Sequence, residues 1–300
     1  MILQLMLSCL LFSCTNTNRD KLLDNKDLTG RDYRLFQNTP AWELAKAVQD
    51  EDVNKIDMIV TENPILINYQ EPKYGNTLLK LTVINQQIKS FKALLERKAD
   101  VSIHNTFDGT SAIIEACRLR DYDIQFAQML IENGANVNDV EIGERKKGNS
   151  TRETPLISAA SSGKIEFVEL LVKKRVDINY KNEFGQSAFS ESIRLKNYNI
   201  SLYLLQNGAD YKQPIFYRPD YSIPSEKQDP NDKGKPMYLV NVLREAFLDF
   251  DTDEYKYKMQ IVDFLKSKGI DYRATPIPEY IKKRTQENYP NNWKEYLEKY

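Results

Sequence analysis

The stretch TPLISAASSGKIEFVELLVKKRVDINYKNEFG, Thr154–Gly185, decides how the chain is read. Thr154 is the kind of side chain that accepts from the exposed N–H groups of a helix's first turn, and Pro155 suits the first helical position. After Gly163, the residues Ile165, Val168, Leu171 and Val172 share one face of a second helix. The stretch then closes like a hairpin, in VDINYKNEFG. Two helices this short carry apolar stripes that they cannot hide alone, so the segment is expected to be one unit of a stack.

The rest of the chain supplies the other units. TPLISAA at Thr154 has counterparts in TPAWELA at Thr39, TLLKLTV at Thr77, SAIIEAC at Ser111 and SAFSESI at Ser187. The successive starts are 38, 34, 43 and 33 residues apart, a base period near 33 with insertions. KIEFVELLVKK likewise returns as IKSFKALLERK, IQFAQMLIENG, NISLYLLQNG and KMQIVDFLKSKG. Gly134, Gly208 and Gly269 stand just past these second helices, where a left-handed residue ends a helix at little cost. Lys98 and Arg175 hold the same place without glycine's freedom.

This pattern resembles the ankyrin repeat. Thr154-Pro155-Leu156, Ala159-Ala160, Gly163, Val168, Leu170-Leu171, Asp177 and Asn179 match it in one unit, and ENGANVN, Glu132–Asn138, matches its ending in another. The resemblance covers about residues 39–272. It implies an all-α solenoid of about six helix–turn–helix units with short hairpin loops: 39–73, 74–107, 108–151, 152–184, 185–235 and 236–272. The last unit is degenerate, with Lys235 at the cap position and Pro236 next. Insertions are expected at about 139–151 and 213–236, and two short helices over 273–300 should close the open end of the stack.

The resemblance also implies a function, the binding of another protein along the concave face made by hairpin tips and first helices. Three aromatics recur at the tips: Tyr74 before Gly75, Phe107 before Asp108-Gly109, and Phe184 before Gly185. Aromatic side chains make strong interface anchors, although they also serve simply to cover a neighbouring loop. The second insertion adds Phe216, Tyr217, Arg218 and Tyr221 as candidate partner-binding residues. Loops this long in a compact array are usually functional or disordered. Phe216–Tyr221 is expected to order against the stack, with the remainder flexible.

Chemistry is otherwise sparse. The formal net charge of -1, with 28% charged residues, gives no general attraction for nucleic acid or anionic lipid. Only Cys9, Cys14 and Cys117 are available, so no disulfide framework or thiolate zinc site can be built, and the lone His104 rules out a multi-histidine metal site. Cys117 replaces the second alanine of the ankyrin pattern and is expected to be a small core residue. The acidic run DFDTDE, with Asp249, Asp251, Asp253 and Glu254, fails as a calcium loop because Glu254 and Gln260 stand where Gly and Glu are required. Asp in that run is expected to cap the helix that follows. GERKKGNSTRE, Gly143–Glu153, lacks the order of a phosphate loop. Its Arg145, Lys146, Lys147 and Arg152 are expected to be solvated, or to meet an acidic partner surface. No cofactor is expected.

The chain begins MILQLMLSCLLFSC, an apolar run too short to span a bilayer and closer to a secretory h-region. Leu11-Phe12-Ser13-Cys14 resembles a bacterial lipobox, which implies a lipid on Cys14; Cys9 ends a competing site after a shorter run. Residues 15–38 would then be a polar tether. The resulting expectation is a monomeric, non-catalytic interaction module, lipid-anchored at the periplasmic or outer-membrane face of a bacterial envelope. The alternatives are an immunity-type inhibitor covering a toxin or secreted enzyme, and an enzyme using paired carboxylates.

Overall fold

The computed structural model describes residues 21–118, 121, 123–143, 151–223, 229 and 232–300. The lipobox-like segment with Cys14, and the basic residues Arg145, Lys146 and Lys147, lie outside the described residues.

Helices come in pairs. The first members are α1 (Trp42–Gln49), α3 (Leu78–Ile84), α5 (Ala112–Arg118), α7 (Pro155–Ser162), α9 (Ala188–Arg194) and α11 (Leu239–Glu245). The second members are α2 (Val53–Glu62), α4 (Ile88–Glu96), α6 (Ile124–Glu132), α8 (Ile165–Lys173), α10 (Tyr198–Gln206) and α12 (Asp253–Ser267). Each first helix packs on the next, which makes an inner layer. The second helices do the same in an outer layer, where Phe91 of α4 meets Phe126 of α6 with ring centres 4.8 Å apart. One continuous apolar core runs between the layers from Leu28 to Tyr272. Side chains such as Leu81, Ala116, Ala159, Ala160 and Phe167 are buried there. Burying each large one is worth about 1.5–3 kcal/mol, and none could be buried by its own unit alone.

Small polar groups tie one unit to the next. Ser90 Oγ donates to the Val48 carbonyl at 2.7 Å, and Asn197 Nδ2 to the Ala160 carbonyl at 2.9 Å. Thr77, Thr154 and Ser187 cap α3, α7 and α9, accepting from Lys80, Ile157 and Ser190 N–H at 3.2, 3.3 and 3.1 Å. Past the outer helices, Lys98 (φ 64°) and Arg175 (φ 61°) adopt the same left-handed backbone as Gly134, Gly208 and Gly269.

Four expectations need correction. Thr39 is not the cap residue of α1, which starts only at Trp42 with Ala41 before it: the Thr39 hydroxyl donates to the Phe36 carbonyl at 2.7 Å and accepts from Ala41 N–H at 3.3 Å, ahead of the first turn. The described part of the expected tether, 21–38, is no free tether, because Leu28, Tyr33, Leu35 and Phe36 are buried in the core. Lys235 and Pro236 do not start a helix. They belong to a strand, β2 (Lys235–Met237), paired antiparallel with β1 (Phe216–Arg218). A two-stranded ribbon tolerates proline, since each strand has one edge that needs no N–H. Finally, Thr252 rather than an aspartate caps α12, accepting from Tyr255 N–H at 3.2 Å.

The far end of the stack is covered by α13 (Glu279–Asn288) and α14 (Trp293–Lys299). They close over a smaller cluster of Ile281, Tyr296 and Tyr300, against which Phe247 and Phe250 pack. Tyr296 stacks on Phe250 with ring centres 4.4 Å apart and donates to the Leu248 carbonyl at 2.6 Å.

Candidate functional site

Between units the chain projects as a hairpin, and each hairpin is closed by one buried acceptor. Glu71 accepts from the N–H groups of Lys73, Tyr74 and Asn76 at 2.7–3.0 Å. Asn105 accepts from Asp108 and Thr110 at 3.4 and 3.1 Å, and Glu141 from Thr151 and Glu153 at 2.9 and 3.1 Å. Asn182 accepts from Phe184 and Gln186 at 3.0 and 2.9 Å. All four side chains are buried, so removing one would strand backbone donors.

Successive tips are then bonded to one another. Thr106 and Phe107 N–H donate to the Tyr74 carbonyl at 2.9 and 3.1 Å, Ile142 N–H to Gly109 at 3.1 Å, and Glu183 N–H to Thr151 at 3.4 Å. Gly109 and Gly143 permit the closest approach: a β-carbon on Gly109 would lie 1.8 Å from the Gly143 nitrogen. On this ladder Phe107, Ile142 and Phe184 are 49%, 60% and 59% exposed, one apolar side chain per tip. Ile142 was not among the residues singled out from the sequence. Its signal is the same large apolar residue before glycine, displaced by the adjoining insertion. Tyr74 differs from the other tips. It is half-buried, donates to the Leu28 carbonyl at 3.2 Å, and meets Phe107 edge-on at 5.3 Å.

Behind the tips, a seam of charge joins three units. The buried Lys80 amine donates to the Thr110 carbonyl at 3.2 Å and to its hydroxyl, with Asp108 at 4.0 Å. Arg118 reaches Glu141 at 2.5 Å, Asp108 at 3.3 Å, Glu153 at 3.5 Å and Glu115 at 4.0 Å. Burial lowers the Lys80 pKa despite Glu115 and Asp108 nearby. Burial also raises that of Glu153, an effect Arg118 only partly offsets. Asp108 ends below the ordinary range because Lys80, Thr110 and Arg118 outweigh its desolvation. Glu141 and Glu153 do come together, but with the Arg118 guanidinium on both. That arrangement is a structural ion cluster and not an acid–base pair facing a substrate.

The nucleophile candidates are similarly committed. Burial pushes the Cys117 thiol far above its usual range, which leaves no thiolate. His104 Nε2 lies 3.0 Å from Asp139 Oδ1, and Ser111 donates its hydroxyl to the other oxygen of Asp139. The carboxylate therefore stands between serine and histidine, whereas an activated serine must touch the histidine itself. The trio ties one unit to the next, and the bond to Asp139 raises the histidine pKa. Among the described residues, no group of three His, Cys, Asp or Glu side chains could hold a metal ion.

Two clefts open beside the inner helices. One, of about 450 Å³, is lined by Tyr74 and Phe107 with Lys80, Asp108 and Glu115, and is walled by Thr29–Arg31. The other, of about 670 Å³, lies between the Phe184 tip and the ribbon, and also takes in Phe216 and Tyr217. The seven candidates from the sequence thus divide. Tyr74 and Phe107 share one cleft, and Phe184, Phe216 and Tyr217 share the other. Arg218 is tied to Glu245 by two hydrogen bonds, one of 2.8 Å, and Tyr221 is 81% exposed outside both clefts.

Comparison with known proteins agrees with this geometry. A family model for ankyrin repeats, in three copies, matches residues 140–214. The chain is 29% identical over 162 residues to Neurogenic locus notch homolog protein 1 of Xenopus laevis, covering 54% of this chain and 6% of that one. It is 26% identical over 204 residues to Ankyrin repeat and KH domain-containing protein mask-1 of Caenorhabditis elegans, covering 58% and 7%. It is 33% identical over 98 residues to an ankyrin repeat protein of Acanthamoeba polyphaga mimivirus, covering 31% and 59%. The chain therefore spans only part of each relative, and the likeness is one of repeats and not of whole proteins. The chain carries ankyrin repeats, and its fold is the all-α ankyrin-repeat solenoid with one added β-ribbon.

Proposed function

We propose that the protein is a non-catalytic scaffold that binds another protein across its hairpin tips and inner helices. The observation that carries this is the row Phe107, Ile142 and Phe184, exposed apolar side chains held one unit apart on hydrogen-bonded hairpins. Exposed apolar surface on a rigid frame is what interfaces use, since little entropy is lost on docking. The charged seam behind the row supports the same reading, because its ionised groups are already paired with one another. A pull-down with the chain from about residue 20 onward tests it. Phe107→Ala/Phe184→Ala/Tyr217→Ala should lose the partner that the unaltered protein retains. A variant that keeps every partner would remove these residues from the interface.

An envelope address is the finer part of the proposal, with Cys14 lipidated and the solenoid held at a bacterial membrane. It rests on Leu11–Cys14 alone, and the relatives named above are animal and viral proteins. Palmitate labelling tests it directly: Cys14→Ala should abolish the label, and label persisting in that variant would rule the anchor out. An inhibitor of a toxin or secreted enzyme would be a special case of the same binding role, and no observation singles it out.

A further inference from the structure

We infer that the cleft between the Phe184 tip and the β1–β2 ribbon receives an extended acidic segment of a partner protein, with aromatic or aliphatic side chains between its carboxylates. This rests on the protein-binding reading and gives that reading a ligand chemistry.

The cleft, of about 670 Å³, is within the usual size of a ligand pocket. One wall is the hairpin that carries Lys181 and Phe184. The other is the ribbon with Phe216 and Tyr217, joined by Lys233 from the turn before β2. The ribbon wall is fixed before anything binds. Arg218 holds Glu245 through two bonds, Ile215 is buried and donates to the Met237 carbonyl at 2.8 Å, and Phe216 packs on the core. A second layer of protein that an ordinary unit lacks has been built there, and it shapes a groove instead of filling one.

Charge decides the occupant. Two carboxylates line the cleft, and both are engaged: Glu191 by Arg194 at 2.5 Å, and Glu183 by Arg152 at 3.2 Å. Lys181 and Lys233, one on each wall, are exposed and have no ion partner among the described residues. The groove therefore holds two uncompensated positive charges in a chain whose net charge is -1. An extended peptide alternates its side chains on opposite faces, so acids reach the lysines while apolar residues meet the aromatic walls. A nucleic acid suits the groove less well, since Glu183 and Glu191 would face its phosphates.

A phage library of random linear peptides, panned on the full chain, tests this. The selected peptides should be rich in Asp and Glu with interspersed aromatic or aliphatic residues. A fluorescein-labelled copy of the strongest should bind at least about tenfold more weakly to Lys181→Glu/Lys233→Glu, and normally to Lys181→Arg/Lys233→Arg. Both pairs are on the surface, and an unchanged circular dichroism spectrum separates lost binding from lost folding. Neutral or basic selected peptides, no selection, or binding indifferent to charge reversal would overturn the inference. So would displacement of the peptide by poly(U) RNA that itself binds in a Lys181- and Lys233-dependent way. Binding that depends on Phe107 and Ile142 but ignores charge reversal would overturn this cleft and leave the scaffold reading standing.

Discussion

The amine of Lys258 sits 3.8 Å from the centre of the Tyr300 ring, fully buried, and donates a hydrogen bond to the Ala246 carbonyl at 3.4 Å. The guanidinium of Arg244 lies over the neighbouring Tyr272 ring at 4.3 Å. Burial, with Arg244 as a second cation nearby, pulls the Lys258 pKa down from 10.5 to about 7. The unfolded chain keeps its proton to higher pH, so it binds more protons than the folded one between about 7 and 10.5. Stability should therefore rise with pH from about 7, by at most about 1.4 kcal/mol per pH unit. Above about pH 9, Cys117 and the buried tyrosines, whose folded values are raised, turn the trend downward. Urea midpoints measured from pH 6.5 to 9 should climb more steeply for the unaltered protein than for Lys258→Met, in which His104 and Lys80 still titrate. Equal slopes in the two proteins would show that Lys258 stays charged when buried.

Gly109 and Gly185 occupy matching tips with φ of 72° and 74°, yet only Gly109 is pressed against backbone. Gly185→Ala should cost about 1 kcal/mol, the left-handed penalty alone. Gly109→Ala adds a clash with Gly143 and should cost at least about 3 kcal/mol. Chemical denaturation of the two variants checks the difference, and equal costs would mean that the tips are not packed as described.

Lys98 and Arg175 are strained where other units have glycine. Lys98→Gly and Arg175→Gly should each stabilise the protein by about 0.5 kcal/mol, and by no more than about 1 kcal/mol, since glycine's greater freedom when unfolded offsets part of the gain. Thermal melts would register this as a small upward shift in Tm for each variant. A downward shift in both would mean that these side chains hold the outer helices in some other way.

Glu141 is buried, closes its hairpin and holds Arg118, whereas Asp57 pairs with Arg97 in an exposed setting. Glu141→Ala should destabilise by about 3–5 kcal/mol, because it leaves two backbone donors and a cation short of a partner. Asp57→Ala should change stability by less than about 1 kcal/mol. Urea unfolding distinguishes the two, and a mild effect at Glu141 would mean that water satisfies the seam.

The repeat was legible because its signal is local and recurrent. Thr77, Thr154 and Ser187 cap helices as their residue types suggest, and Val168 and Leu171 are buried on the face that helical spacing assigns. Features that depend on partners distant in sequence were not legible. Thr39 looks like the other caps, but α1 starts only at Trp42, so its hydroxyl accepts from Ala41 N–H ahead of the helix instead of from the first turn. Leu28, Tyr33, Leu35 and Phe36 are scattered among polar residues, and their burial depends on the second unit being there to receive them. The ribbon pairs two three-residue strands that are 16 residues apart in the chain. One of them contains proline, so no run of β-formers announces it. The hairpin acceptors Glu71, Asn105, Glu141 and Asn182 went unnoticed because one task is done by two residue types at uneven spacing. Of the candidate binding residues, type and exposure were readable at Phe107 and Phe184. The commitment of Arg218 to Glu245 was not, because α11 is brought to the ribbon only by the fold.

The most direct measurement places a photo-crosslinking benzoylphenylalanine at position 107, 142 or 184 of the full chain, with Ile65, 79% exposed beside the outer helix α2, as control. Crosslinking to one and the same partner protein from all three tips, and not from position 65, is the expected result. Crosslinks from position 65 alone, or equally from all four positions, would contradict a binding face built on the hairpin tips.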